Sequence, residues 1–180
     1  MIYLVSGKRA SGKDTFCSIF SSCFENENVK IVALADAPKR VFCKKMNIDL
    51  FKFMSERDFK DRYRKQFIDF AENAKLLDEF VWCREAMKDC EHCDNIIVSD
   101  LRYPVELSFF QKFFGRRFVT IRIEAIEAVR EQRGWKFISD VDNHLSETGM
   151  DGNKFDYVIK NDRNDNGAHI IKQIKDLKIV

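Results

Sequence analysis

Ile2-Tyr3-Leu4-Val5-Ser6-Gly7-Lys8-Arg9-Ala10-Ser11-Gly12-Lys13-Asp14 is the stretch on which the fold turns. Its apolar opening, Ile2 to Val5, has the length of a buried strand. Gly7, Gly12 and Lys13 then fit G-x-x-x-x-G-K, in which glycines let backbone amides wrap phosphate oxygens. Phe16, Ile19, Phe20 and Cys23 follow at i, i+3, i+4 and i+7, the apolar stripe of a helix. A helix N-terminus at this point adds partial positive charge, and Lys13 reaches toward the β- and γ-phosphates of a nucleotide. Lys8, Arg9 and Lys13 place three cations in the loop. The last position departs from the pattern, because Asp14 replaces the magnesium-binding Ser or Thr.

Moving outward, apolar runs recur at Val29 to Ala35, Ile96 to Val98, Phe118 to Ile123 and Tyr157 to Ile159. Each suits a buried parallel strand. Helical periodicities lie between them, with a second clear stripe at Ile170, Ile171, Ile174 and Leu177. Asp36 and Pro38 read as a helix cap with proline in the first turn. Residues 54–90 are charged and helical in pattern, with no strand. The sequence therefore predicts one α/β domain over residues 1–180, with a five-stranded parallel sheet and a helical insertion at about 54–90.

Composition narrows the function. The chain has 180 residues, 45% hydrophobic, which suits one core. A net charge of +2 argues against a surface that blankets nucleic acid or anionic membrane. No apolar run approaches the roughly 18 residues of a spanning helix. The N-terminus shows no targeting pattern, and six cysteines do not make a disulfide framework at this length. The expectation is a cytoplasmic protein that acts on a small molecule, binds neither nucleic acid nor membrane, and works as a monomer.

Ile96-Ile97-Val98-Ser99-Asp100 is a strand ending in a carboxylate, the position that holds magnesium, usually through water, in enzymes with such a loop. Cys90-Glu91-His92-Cys93 lacks the second ligand pair that a structural zinc site needs, and reads as a turn. Trp135, beside Gly134, reads as a packing anchor. His144 and His169 have no nucleophile near them in sequence.

Taken together, these motifs resemble the animal-type phosphomevalonate kinases of the nucleoside-monophosphate-kinase fold. The resemblance rests on Gly7 to Asp14 and on Val98-Ser99-Asp100-Leu101-Arg102. It rests also on Arg130-Glu131-Gln132-Arg133-Gly134-Trp135, Val141-Asp142, Ser146-Glu147-Thr148-Gly149-Met150-Asp151 and Phe155-Asp156-Tyr157-Val158-Ile159-Lys160-Asn161. It runs along essentially the whole chain and is weakest from Lys44 to Phe59.

The resemblance implies a three-layer kinase with a helical acceptor-binding insertion and a mobile lid at about 130–151. The implied reaction moves the γ-phosphoryl group of ATP to 5-phosphomevalonate, with Mg2+. It assigns catalysis to Lys13, Arg102, Arg130 and Arg133. ATP falls to Gly7, Lys8, Arg9, Ala10, Ser11, Gly12, Lys13, Asp14, Arg133, Asn161 and Asp162. The acceptor falls to Lys8, Arg64, Lys75, Arg84 and Arg102, and the metal to Asp14 and Asp100. Two residues depart from the family's pattern: Tyr103 and Lys75 stand at usual arginine positions, and a lysine offers a point charge where arginine offers a fork. A deoxynucleoside monophosphate kinase shares the loop, and a phosphate-loop protein that holds nucleotide without turnover is a third reading.

Overall fold

The computed structural model describes residues 1–163, 165 and 167–179, the Arg57 side chain excepted. Its strands are β1 (Ile2–Ser6), β2 (Val29–Val32), β3 (Asn95–Val98), β4 (Phe118–Glu124) and β5 (Tyr157–Lys160). They form one sheet in the order β2-β3-β1-β4-β5, parallel throughout. β1 is central and buried at all five residues, which explains its unbroken apolar run. The phosphate loop thus leaves the middle of the sheet.

The chain divides into two compact units, one of residues 1–32 and 90–180, the other of residues 33–89. In the sheet unit, α1 (Lys13–Ser21) and α10 (Ala168–Asp176) supply Phe16, Phe20, Ile170 and Ile174 to a core with Tyr3, Val5, Ile97, Ile121, Ile123 and Ile159. Tyr3 meets Phe20 edge-on at 4.8 Å, and burying a ring of that size stabilises the fold by about 1.5–3 kcal/mol. The stripe read in α10 is narrower than expected. Ile171 and Leu177 are 38% and 41% exposed, while Ile170 and Ile174, one turn apart, carry the contact. The unit also holds α6 (Pro104–Phe114), α7 (Glu127–Gln132), α8 (Ser139–Asp142) and α9 (Leu145–Thr148).

The second unit is all helix: α2 (Asp36–Met46), α3 (Leu50–Ser55), α4 (Arg57–Leu77) and α5 (Val81–Met87). Its core is aromatic, with Phe42 and Phe53 fully buried and Phe67 and Phe70 packed against them. Asp36 does not cap α2. Ala35 occupies that position, and Asp36 sits in the first turn, where its carboxylate takes Lys39 Nζ at 2.7 Å. Among the described residues, no helix is long and apolar enough to cross a membrane.

Candidate active site

Backbone geometry sets the phosphate loop first. A side chain at Gly7 would place its Cβ 2.5 Å from the carbonyl of Ile123, so only glycine lets β1 and β4 run side by side there. Gly12 has φ +89°, and a Cβ would run into the Asn161 amide. Ala10, at φ 57°, holds a left-handed conformation without a glycine's freedom. Its neighbours hold it there: Ser11 N donates to Lys8 O at 3.1 Å, and Asn161 Nδ2 donates to Ser11 O at 2.8 Å. Among the described residues the Ser11 hydroxyl is buried with no hydrogen-bond partner, an orphan that a bound phosphate oxygen would satisfy.

Around this loop stand most of the cations expected in the sheet unit. Lys13 Nζ donates to Lys8 O at 3.1 Å. Burial lowers its pKa, Arg102 lowers it further, and Glu147 and Asp14 oppose the shift. Arg130 Nε donates to Arg9 O at 2.8 Å, while its guanidinium lies 3.8 Å from the Trp135 ring centre. Arg133 Nη1 reaches the carbonyls of Ala10 and Ser11, both at 3.3 Å, and its Nη2 reaches Asn161 O at 2.9 Å and Asn161 Oδ1 at 3.2 Å. Both arginines therefore grip loop carbonyls. Arg9 turns its guanidinium to Asp142 at 3.1 Å, so its side chain is taken up by α8 here.

A cavity of about 690 Å³ is lined by Gly12, Thr15, Arg133, Asn161, Arg163 and Gly167. Asn161 is its strut, since its amide also meets His169 Nε2 at 3.1 Å. A second cavity of similar volume is lined by Lys8, Ser11, Arg122, Arg130, Asp151 and Phe155, among others. Asp162 opens onto this second cavity and accepts from Ile126 N at 2.8 Å, which makes it a clasp for the β4–α7 turn.

Asp100 is buried at the end of β3, and Asp14 lies exposed in the first turn of α1. Both bear on one thiol. Cys17 is pushed up to about 12, by burial first and then by Asp14, with Asp100 adding to the shift. Two carboxylates over one short region suit Mg2+, which takes one or two carboxylates and completes its shell with water and substrate phosphates. No cluster of three acidic, histidine or cysteine ligands exists among the described residues. The site thus fits that metal only with phosphates present.

The other residues expected to bind the acceptor belong to the helical unit, where each has an acidic neighbour. Arg64 pairs with Asp61 at 2.5 Å, Lys75 with Glu72 at 3.1 Å, and Arg84 with Asp78. Tyr103 is the residue before α6, where its amide donates to Glu106 Oε2 at 3.0 Å.

Sequence reading missed four residues. Arg122, 8% exposed, donates to Ser6 Oγ at 3.0 Å and to Asp151 at 2.6 Å, and Asp151 also takes Lys8 at 2.9 Å. A cation inside the apolar run Val119 to Ile123 was the available signal. Asp142 and Glu147 lie in recognised motifs, yet an acidic residue in a lid of arginines has no role until its partners are known. Glu147 Oε2 accepts from Arg9 N at 2.7 Å, and its Oε1 from Arg102 Nη1 at 2.8 Å.

Three comparisons bear on this arrangement. Two solved structures share the architecture: TT1252 from Thermus thermophilus, at 14% identity and a TM-score of 0.58 over 99% of this chain and 96% of that one, and dephospho-CoA kinase from Campylobacter jejuni, at 16% and 0.50 over 98% and 96%. At such identities they establish the fold alone. The phosphomevalonate kinase of Drosophila melanogaster is 29% identical over 167 residues, covering 89% of this chain and 88% of its own. The family model for phosphomevalonate kinase matches residues 5–116, a span holding the phosphate loop, the helical unit and Asp100 to Arg102. With more than half its length matched, the chain belongs to the phosphomevalonate kinase family.

Proposed function

We propose that the chain transfers the γ-phosphoryl group of ATP to (R)-5-phosphomevalonate, giving 5-diphosphomevalonate and ADP. A phosphate oxygen of the acceptor attacks the γ-phosphorus, and the bond to the β–γ bridging oxygen breaks. The acceptor oxygen is already anionic, so no side chain need remove a proton. Catalysis becomes positioning and charge neutralisation.

In this reading the loop amides and Lys13 hold the donor phosphates, and the cavity at Thr15, Arg133 and Asn161 takes the nucleoside. Arg102, two residues beyond Asp100, meets the phosphates where charge moves. Arg130 and Arg133, by gripping the loop carbonyls, fix the lid segment over the donor. Lys8, Arg64, Lys75 and Arg84 bind the acceptor. Mg2+, held by Asp14 and Asp100, supplies neutralising charge on the phosphates when bound. The setting is cytoplasmic, and the protein acts as a monomer on a small molecule.

The observation that supports this most is the family match itself, because its span takes in donor and acceptor residues alike. A coupled assay of ADP release tests it, with 5-phosphomevalonate set against dTMP and dGMP. Turnover is expected with phosphomevalonate and little with either nucleotide. Faster phosphorylation of dTMP or dGMP would overturn the reading in favour of a deoxynucleoside monophosphate kinase.

A further inference from the structure

The Glu147 side chain is bonded to both the phosphate loop and Arg102. It is 7% exposed, and burial of a carboxylate is costly unless both oxygens find donors. Both do: one takes the Arg9 amide at 2.7 Å, the other takes Arg102 Nη1 at 2.8 Å. The backbone of the same short helix adds a contact, from Arg102 Nη1 to Ser146 O at 3.4 Å. Among the described residues Arg102 Nε is buried with no hydrogen-bond partner. The guanidinium is therefore tied down at Nη1, while the edge that carries Nε is left to a ligand. That edge is the one able to grip a phosphate through two parallel hydrogen bonds.

We propose that Glu147 is a positioning residue for phosphoryl transfer, aiming the Arg102 fork at the transferring phosphate and fixing the Arg9 peptide beside it. The Arg9 peptide is held from both ends, its N–H by Glu147 and its carbonyl by Arg130 at 2.8 Å. One carboxylate so links the lid segment, the loop crown and the arginine after β3. At Lys13 its charge also opposes the repulsion from Arg102. Without its charge, Arg102 is free to fold onto whichever anion lies closest. Resting nucleotide then gains what the transition state loses, so turnover suffers and nucleotide affinity does not.

This inference rests on the kinase reading above, and wild-type turnover with 5-phosphomevalonate tests that reading separately. The test of Glu147 is the pattern among variants. Glu147→Gln keeps an acceptor for the Arg9 amide and loses the charge on Arg102. Its kcat is expected to fall about 10- to 100-fold, with the Kd of a non-hydrolysable ATP analogue within about threefold of wild type. Arg102→Ala is expected to cost far less in the Glu147→Gln background than in wild type, because the fork is already misaimed. Wild-type kcat in Glu147→Gln, or losses that simply multiply in the double variant, would overturn the proposal. Should Glu147→Gln not accumulate as folded protein, Glu147→Asp enters the same cycle. Non-additivity with Arg102→Ala is again expected, and independent losses again overturn it.

Discussion

Glu106 accepts from two consecutive amides, Arg102 N at 2.7 Å and Tyr103 N at 3.0 Å, and so shapes the turn that delivers Arg102. Burial outweighs these bonds and pushes its pKa from 4.5 to about 7. Between those values the folded chain keeps a proton that the unfolded chain has released, so stability falls as pH rises through this window. The loss is on the order of 1–3 kcal/mol. Glu106→Gln keeps the amide acceptor and cannot ionise, so denaturant unfolding at pH 5 and pH 8 should show a smaller pH difference in the variant. Equal differences in the two proteins would remove Glu106 from the pH response. Asp14 is the second residue to test. Asp14→Ala should raise the Mg2+ concentration for half-maximal turnover on the order of tenfold or more, and Asp14→Ser should recover part of it. An unchanged Mg2+ titration in Asp14→Ala would show that the first-turn carboxylate holds no metal.

At the scale of elements, the strands were legible because buried parallel strands read as continuous apolar runs, and β1 and β3 are buried at every residue. The lid segment was less so. Of its apolar residues Trp135, Phe137, Ile138, Val141, Leu145 and Met150, only Trp135 and Met150 are buried, and Phe137 is 61% exposed. What fastens the segment is polar: Arg130 on Arg9, Asp142 on Arg9 and Trp135, Glu147 on Arg102, and Arg133 on the loop. The bonds of Arg130 and Asp142 to Arg9, and of Arg133 to Ala10, join residues more than a hundred positions apart and leave no periodicity for a sequence reading to find. Arg133 is expected both to act in catalysis and to bind ATP. Its fork joins the loop carbonyls to Asn161, on the wall of the cavity proposed for the nucleoside, so Arg133→Ala should weaken the ATP analogue and lower kcat together. Each effect should be about tenfold or more, as for the loss of a charge-assisted hydrogen bond. Calorimetric binding unchanged from wild type, beside a collapse in kcat, would return Arg133 to the transferring phosphoryl group alone.

Across the whole molecule, a phosphotransferase is carried on two compact units with separate cores. The sequence marks the helical insertion from residue 54, whereas the compact unit begins at residue 33 and includes α2 and α3. The boundary was hidden because the chain leaves β2 through Ala33, Leu34 and Ala35, which continue an apolar run and read as strand. The phenylalanines explain the division. Phe16, Phe20 and Phe24 stack along the sheet unit, while Phe42, Phe53, Phe67 and Phe70 form a cluster of their own with Trp82 beside Phe70. A cluster of that kind concentrates the unit's stability in few side chains. Phe53 is fully buried at its centre, so Phe53→Ala should cost about 3–5 kcal/mol locally through lost contacts and a cavity. If the helical unit carries acceptor residues and the sheet unit carries the donor, that cost should fall unevenly. Amide exchange should speed up across residues 33–89 while β1 and β4 keep their protection. The KM for 5-phosphomevalonate should rise while the Kd of the ATP analogue holds. A variant that lost both affinities in parallel, with protection falling equally across the sheet, would show one cooperative core where the aromatic clusters mark two.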